Sequence, residues 1–298
     1  MAFALDPKES IRRGLKHVVR KELRHAREHL RGDEETAVHE AHKSVKKVRA
    51  LVKLLQQTDA ASVGKDAERL GAVGETLSRL RDSVAVVATF DRLCKRFPKR
   101  LPERTSATMR RQLVQGQARI TKNARAGRST TQVTRTLRAL RRSVKGWRAP
   151  AIAVEELPGL LKDSYRASRK AMRRAREEMS PAALHRWRKR VKTFWYQLRV
   201  AESLAPGLRR EIRRFKQLET WLGEDHDLSV MLTTMADEKR RHRMPAALRE
   251  VKAISDDLQT SLRRKSFTLG ERLLADKPPV FVRRLRRTFA QAKHRRTV

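Results

Sequence analysis

Five basic side chains share one face of a helix-forming stretch, and the same five-point pattern occurs twice. In VHEAHKSVKKVRALVKLL, Val38 to Leu55, they are His39, His42, Lys43, Lys46 and Lys53. In LHRWRKRVKTFWYQLRV, Leu184 to Val200, they are His185, Arg188, Lys189, Lys192 and Arg199, 146 residues further on (185 − 39). With about 100° of rotation per residue, these positions fall on one helix face. A face of this kind can hold anions. Arginine offers a planar fork for bidentate contact and lysine a compact point charge. A histidine among cations stays neutral near pH 7, because neighbouring positive charge lowers its pKa. It still donates one hydrogen bond, and a bound polyanion favours its protonation. The competing reading of His39 and His185 is a structural hydrogen bond.

The opposite face is apolar in both copies: Ala41, Val48, Val52 and Leu55 in the first, Trp187, Phe194 and Leu198 in the second. A second pair of basic stripes precedes these helices. Lys16, Arg20, Arg24 and Arg27 are followed 146 residues later (162 − 16) by Lys162, Arg166, Lys170 and Arg173. A solvated helix face usually mixes signs, because Glu–Lys pairs at i,i+4 stabilise it. Here the acids avoid the stripes: Glu22 and Glu28 lie roughly 120° to either side of Lys16. Like charges three and four apart destabilise a helix slightly, so four such stripes point to an anion-binding surface.

Composition narrows the partner. Lys and Arg number 72 against 33 Asp and Glu, a net charge of +39 on 298 residues. Such a chain repels itself unless a polyanion neutralises it: nucleic acid, an anionic membrane surface or a phosphate polymer. Aromatic residues are 5% of the chain, thin for a protein that stacks bases. No Gly-rich phosphate loop is present. A single cysteine, Cys94, excludes an internal disulfide and fits a reducing compartment. The first residues, MAFALDPKES, lack the pattern of a signal peptide, and no apolar run approaches ~18 residues, so a cytoplasmic location without a membrane span is expected.

The elements that must position these faces are helices, since helix formers dominate and no strand alternation appears. We expect helices over Pro7–Arg31, closed by Gly32, and over the opening stretch, with Asp33 as N-cap. A third is expected over Lys65–Leu80, and a fourth from a cap at Asp82 or Ser83 to Phe97. Two more follow, Glu103–Ala126, stopped by Gly127, and Ser129–Lys145. The order then restarts. The third helix returns near Leu208–Leu222, Arg81-Asp82 as His226-Asp227, Leu101-Pro102 as Met244-Pro245, and Leu140-Arg141-Arg142 as Leu285-Arg286-Arg287. The reading is an all-α protein of two similar tandem bundles, residues 1–150 and 151–298, about six helices each, related by a pseudo-two-fold axis around a basic surface or pore.

His39-x-x-His42-Lys43-x-x-Lys46-Lys47 and His185-x-x-Arg188-Lys189-x-x-Lys192 resemble the two histidine-led basic helices of the CHAD family. Leu80-Arg81-Asp82 and Leu222-Gly223-Glu224-Asp225-His226-Asp227 resemble its LG-x-x-RD-x-D-V signature. The resemblance spans nearly the whole chain and implies two helical bundles around a basic centre that binds inorganic polyphosphate, with recruitment to polyphosphate granules. By position it implies anion contacts for His39, Lys43, Lys46, Lys47, His185, Arg188, Lys189 and Lys192. His42 stands where the family usually has Arg, and His226 in place of the Arg of the RD pair; Val84 and Ser229 replace the second Asp.

Sharper chemistry is present only in fragments. His25-Ala26-Arg27-Glu28-His29 fits a zinc-protease pattern, but Ala171, Arg174 and Ala175 stand there in the second copy and the surrounding cations repel a metal. Glu224-Asp225-His226-Asp227 resembles a Mg²⁺ site, yet only the Asp repeats, as Asp82, which fits an N-cap or an ion pair with a basic helix. Trp147, Trp187, Trp195 and Trp221 read as core and helix-end residues. The expectation is a binding protein without catalytic residues, metal or cofactor, whose site also accepts sulfate or phosphate. The rivals are a sequence-nonspecific nucleic-acid binder and a metal-dependent enzyme that hydrolyses or extends polyphosphate.

Overall fold

Strong helix formers between Gly, Pro and Ser breaks produce helices only; no strand occurs among the described residues. The computed structural model describes residues 3–31, 35–58, 60–126, 129–148, 150–241 and 247–297. Its first half holds α1 (Ile11–His29), α2 (Glu35–Leu55), α3 (Ala60–Arg96), α4 (Glu103–Ala126) and α5 (Ser129–Ser143). Its second half holds α6 (Leu157–Glu178), α7 (Pro181–Val200), α8 (Arg209–Arg241), α9 (Ala247–Leu273) and α10 (Pro278–Thr297). The expected cap Asp33, the stops Gly32 and Gly127, and the Met244-Pro245 repeat of Leu101-Pro102 lie outside the described residues.

Among the described residues each half has five long helices, not six, and one difference accounts for it. The expected third and fourth helices are a single α3 of 37 residues, and its repeat is the equally unbroken α8 of 33. Asp82 therefore sits inside a helix and caps nothing. Its carboxylate accepts from Ser78 Oγ at 3.2 Å and from Arg81 Nη1 at 3.0 Å. Ser83 returns its hydroxyl to the Leu80 carbonyl at 2.8 Å, a bond that a continuous helix accommodates. Neither Gly nor Pro interrupts α3 after Gly74, and Pro98 stands just beyond its end.

The halves repeat in packing as well as order. α1 packs on α2, α2 on α3, α3 on α4 and α1 on α5; α6 packs on α7, α7 on α8, α8 on α9 and α6 on α10. The halves then meet through equivalent elements, α2 against α7 and α3 against α8. A local two-fold requires that contact pattern. The Gln197 amide donates to the Ala50 carbonyl at 2.8 Å and ties α7 to α2 inside the core.

Two apolar clusters hold the fold, each drawn from both halves. The larger contains the faces read from sequence: Leu15, Val19, Ala41, Val48, Val52 and Leu55 are fully buried or nearly so, as are Trp187, Phe194 and Leu198. Tyr165 stacks on Phe281 with ring centroids 3.9 Å apart, and Phe194 meets both rings edge-on. The smaller cluster joins Phe90, Leu93 and Met109 to Met231, Met235 and Ile254. Buried side chains of this size contribute roughly 1.5–3 kcal/mol each, so the shared cores fix the basic faces of α2 and α7 relative to each other. Trp147, Trp187 and Trp195 are buried as expected, and Trp147 Nε1 donates to Asp66 at 2.9 Å.

Candidate anion-binding cleft

The apolar faces of α2 and α7 point into the core, so their basic faces turn toward each other across a cleft. The local geometry of α7 is set at its start. Met179 adopts a left-handed conformation (φ 46°) that ends α6. Ser180 then caps α7, accepting from the Ala183 amide at 3.2 Å, and Pro181 opens the first turn. His185 follows at the start of the second turn.

The cleft has a volume of about 690 Å³ and is walled by α2, α3, α6 and α7, with His226 of α8. Among the described residues its lining carries eleven lysines and arginines, three histidines and two carboxylates, Glu75 and Asp82. Both copies of the basic helix line this one space.

At its centre Arg81 of α3 bridges the halves. Its guanidinium donates to Asp227 of α8 at 3.0 and 3.3 Å and to Asp82 at 3.0 Å. The Arg81 and Asp227 side chains are only 13% and 14% exposed, so this is a desolvated, cross-repeat ion pair. Beside it His185 and His226 lie ring to ring, centroids 4.0 Å apart. Burial, and then the charge of nearby lysines and arginines, holds the histidines neutral. His42 is pushed down to about 2 by burial and by Lys46, Arg81, Lys192 and Arg188. His185 is lowered to about 3 by burial and by His226 and Lys189. His226 falls to about 4 through burial and Arg188, against the pull of Asp227.

The lysines are shifted in the same direction. Burial, then Lys192 and Arg188, holds the Lys46 ammonium well below its usual range. Lys192 is lowered to about 8 by burial, although it donates to Glu219 at 2.6 Å. Burial opposes ionisation of Glu219, but Lys192 and Lys216 outweigh it and hold the carboxyl at about 2. Arg188 is buried, and its Nε has no partner. Gly223 of α8 lies beside it, and a Cβ there would meet that nitrogen at 3.5 Å, an ordinary contact distance.

Of the residues predicted from sequence, the structure gathers His42, Lys46, Lys53, Lys170, His185, Arg188, Lys189 and Lys192 into the cleft. It does not bring the others there. His39 is exposed at the start of α2, outside the lining. Lys43 is paired with Glu40 at 3.0 Å, and Lys47 with the buried Glu22 at 2.9 Å. Arg199 packs over the rings of Phe3 and Trp195, at 5.8 and 5.7 Å. The stripe of α1 faces its neighbours instead. Lys16 donates to the Lys145 carbonyl at 3.3 Å, Arg24 lies 3.7 Å from Glu28, and Arg20 and Arg27 are partly buried. On α6, Arg166 pairs with Asp163 at 3.2 Å, and Lys162 and Arg173 lie outside the cleft lining.

Sequence reasoning missed Arg49, Arg81, Arg174, Arg186, Arg190 and His226, all of which line the cleft. Arg49 and Arg190 sit on the same two helices, roughly 80° from His39 and roughly 140° from His185, outside the basic stripe. Gly74 was a usable signal: a Cβ there would come within 2.8 Å of Arg49 Nη1, so the guanidinium lies across the α3 backbone. The acidic run of α8 is dispersed by the helix. Asp225 accepts from Arg263 Nε at 2.7 Å, Asp227 belongs to Arg81, and Glu224 faces another cavity. No metal-holding group of three or more His, Cys, Asp or Glu occurs among the described residues. Nor is any helix among them long and apolar enough to cross a membrane.

The CHAD domain family model matches residues 13–236. The CHAD domain structure from the plant Ricinus communis is similar over 93% of this chain and 96% of that one, with a TM-score of 0.62 at 17% sequence identity. No curated protein matches the chain.

Proposed function

The chain belongs to the CHAD domain family, and on that premise we propose that it is a non-enzymatic binder of inorganic polyphosphate, held in the cleft between α2 and α7. The observation that carries this reading is the charge of the cleft: eleven lysines and arginines face two carboxylates, one of which, Asp82, is already engaged by Arg81. A phosphate chain brings one negative charge per unit and no base to stack, and it suits walls made of Lys, Arg and His. The buried Arg188 Nε and the suppressed Lys46 and histidine charges are groups whose ionic or hydrogen-bonding capacity a polyanion would satisfy. Free phosphate or sulfate fits the same contacts. Recruitment to polyphosphate granules in the cytoplasm follows from this binding.

Nucleic acid is the second reading, favoured by the net charge of +39 alone. Among the described residues the cleft lining offers no aromatic platform beyond the buried Tyr196, which favours the base-free polymer.

The test uses one exposed cation from each copy. Arg49→Glu and Lys189→Glu each reverse a charge in the cleft; the Lys189 pKa is lowered by burial first and then by the Arg49 charge. Titration with polyphosphate at physiological salt should show each variant weakened by about tenfold or more. Arg24→Glu and Arg166→Glu, outside the cleft, should bind within about twofold of the parent, as exposed pairs contribute little. Equal loss in all four variants would mean that net charge, not the cleft, binds the polymer. Single-stranded DNA competing at equal charge concentration would transfer the proposal to nucleic acid.

A further inference from the structure

A second cavity, of about 440 Å³, opens between α3, α8 and α9. Trp221, Glu224 and Leu228 line it, a stripe at i, i+3 and i+7 of α8. His226 points the other way, into the cleft, as about 100° of rotation per residue requires. The two spaces therefore lie on opposite sides of one helix.

Their chemistry differs. The floor of this pocket is apolar, made by Leu228, Leu258 and Leu262 with the half-buried indole of Trp221. Its rim is cationic: Arg92, Lys95 and Arg96 on successive turns of α3 and Lys265 of α9, all exposed. Arg92 is steadied by a 3.0 Å bond to Thr89. A bare phosphate chain has nothing to bury against such a floor, and an aliphatic molecule has no use for such a rim. The volume lies within the range of small-molecule sites.

We propose that this pocket binds a nucleotide, with its base against Trp221 and its phosphate on the Arg92–Arg96 rim. An indole beside an apolar floor receives a flat ring, and base–aromatic stacking contributes about 1–3 kcal/mol. Arginine and lysine at the rim take the phosphate. Glu224 sets the selectivity: its carboxylate accepts from an exocyclic amino group of a base but repels a simple acyl carboxylate. The site is independent of the polyphosphate cleft and stands or falls separately.

The probe is adenosine monophosphate, whose single phosphate gains little from the cleft. Calorimetry and tryptophan fluorescence on the full chain should show saturable binding about tenfold or more tighter than inorganic phosphate. Trp221→Leu, and Arg92→Ala combined with Arg96→Ala, should each weaken it about tenfold or more, while Trp221→Phe, which keeps a ring, retains most of it. Polyphosphate affinity should change by less than about twofold in Trp221→Leu, and Lys189→Glu in the cleft should leave nucleotide binding intact. Nucleotide binding no tighter than phosphate, binding unchanged in Trp221→Leu, binding lost in Lys189→Glu, or displacement of the nucleotide by decanoate at lower concentration would each overturn the proposal. Thermal melts of every variant separate lost binding from lost fold.

Discussion

Acidification should tighten polyphosphate binding, because binding draws protons onto the histidines of the cleft. The two repeats show why protons are available. Where the first copy has His42 the second has Arg188, and where the first has Arg81 the second has His226. Each copy thus places one permanent and one titratable cation at the centre. In the free protein His42, His185 and His226 sit at about 2, about 3 and about 4, lowered by burial and by the surrounding positive charge, so all are neutral at pH 5.5–7.5. Burial is the largest cause of that depression and neighbouring charge the next, so a phosphate chain must act by direct contact, its oxygens accepting charge-assisted hydrogen bonds that favour the imidazolium over both effects. Each histidine whose pKa in the complex rises past the working pH takes up one proton, and log K then changes with pH by the number taken up. One to two protons correspond to roughly ten- to a hundredfold in affinity per pH unit near pH 6. Lys192, at about 8, acts in the same direction: above pH 8 the free protein loses that charge and affinity falls further.

Stability moves the opposite way. The folded-state pKa of each histidine lies below its unfolded value near 6.5, so the unfolded chain binds more protons in acid. The contribution of the neutral histidines is complete above pH ~6.5 and is lost as pH falls, by up to about 1.4 kcal/mol per histidine per pH unit. The free protein should therefore melt lower at pH 5.5 than at 7.5, while the stabilisation by polyphosphate grows. Calorimetry with one chain length at fixed salt, in two buffers of different ionisation enthalpy, counts the protons directly. His42→Gln should lower the count. Binding without proton uptake at pH 6, or affinity that is flat or weaker from pH 7.5 to 5.5, would refute the reasoning.

If about eight phosphates are neutralised, log K should fall with log[salt] at a slope near −6, taking the single-strand coefficient as proxy; a slope near zero would assign the binding to packing and neutral hydrogen bonds. Asp227→Ala removes one partner of a desolvated pair and should cost about 2–4 kcal/mol, seen as a lower melting temperature, with Asp227→Asn costing less. Polyphosphate binding should persist in Asp227→Asn, because the change removes a negative charge beside the cleft while Asp82 still holds Arg81; Mg²⁺-dependent chain shortening by the parent that vanishes in this variant would show an enzyme instead. Gly270→Ala should destabilise the fold by about 1–2 kcal/mol despite better helix propensity. Its Cβ would lie 2.7 Å from Trp187 Cζ2 and 2.9 Å from Met172 Sδ, and denaturant titration reads the loss.

What the sequence determined by itself was local periodicity. The apolar faces of α2 and α7, from Ala41 to Leu55 and from Trp187 to Leu198, are buried as their spacing required, and α4 spans Glu103–Ala126 as read from its flanking signals. The 146-residue offset (185 − 39) places the copies in register, because a helix presents residues in fixed angular order. Tertiary packing decided which cations stay available. Lys43 belongs to the basic stripe by angle and Lys47 was expected at the site from the family resemblance, yet Glu40 within α2 and Glu22 on α1 take them up. Arg199 shares the face and ends over Phe3 and Trp195. Conversely His226 reaches the cleft from α8, on which no stripe announces it, and Arg174 from α6, one residue beyond the last cation of the stripe read there. The continuity of α3 through Asp82 was decided in the same way. Asp82 is a good N-cap by type, but Arg81 occupies its carboxylate while also reaching Asp227, 146 residues along the chain (227 − 81). Helical angle assigns a side chain to a face; only the neighbour packed against that face settles whether the charge is paired, stacked or left for a ligand.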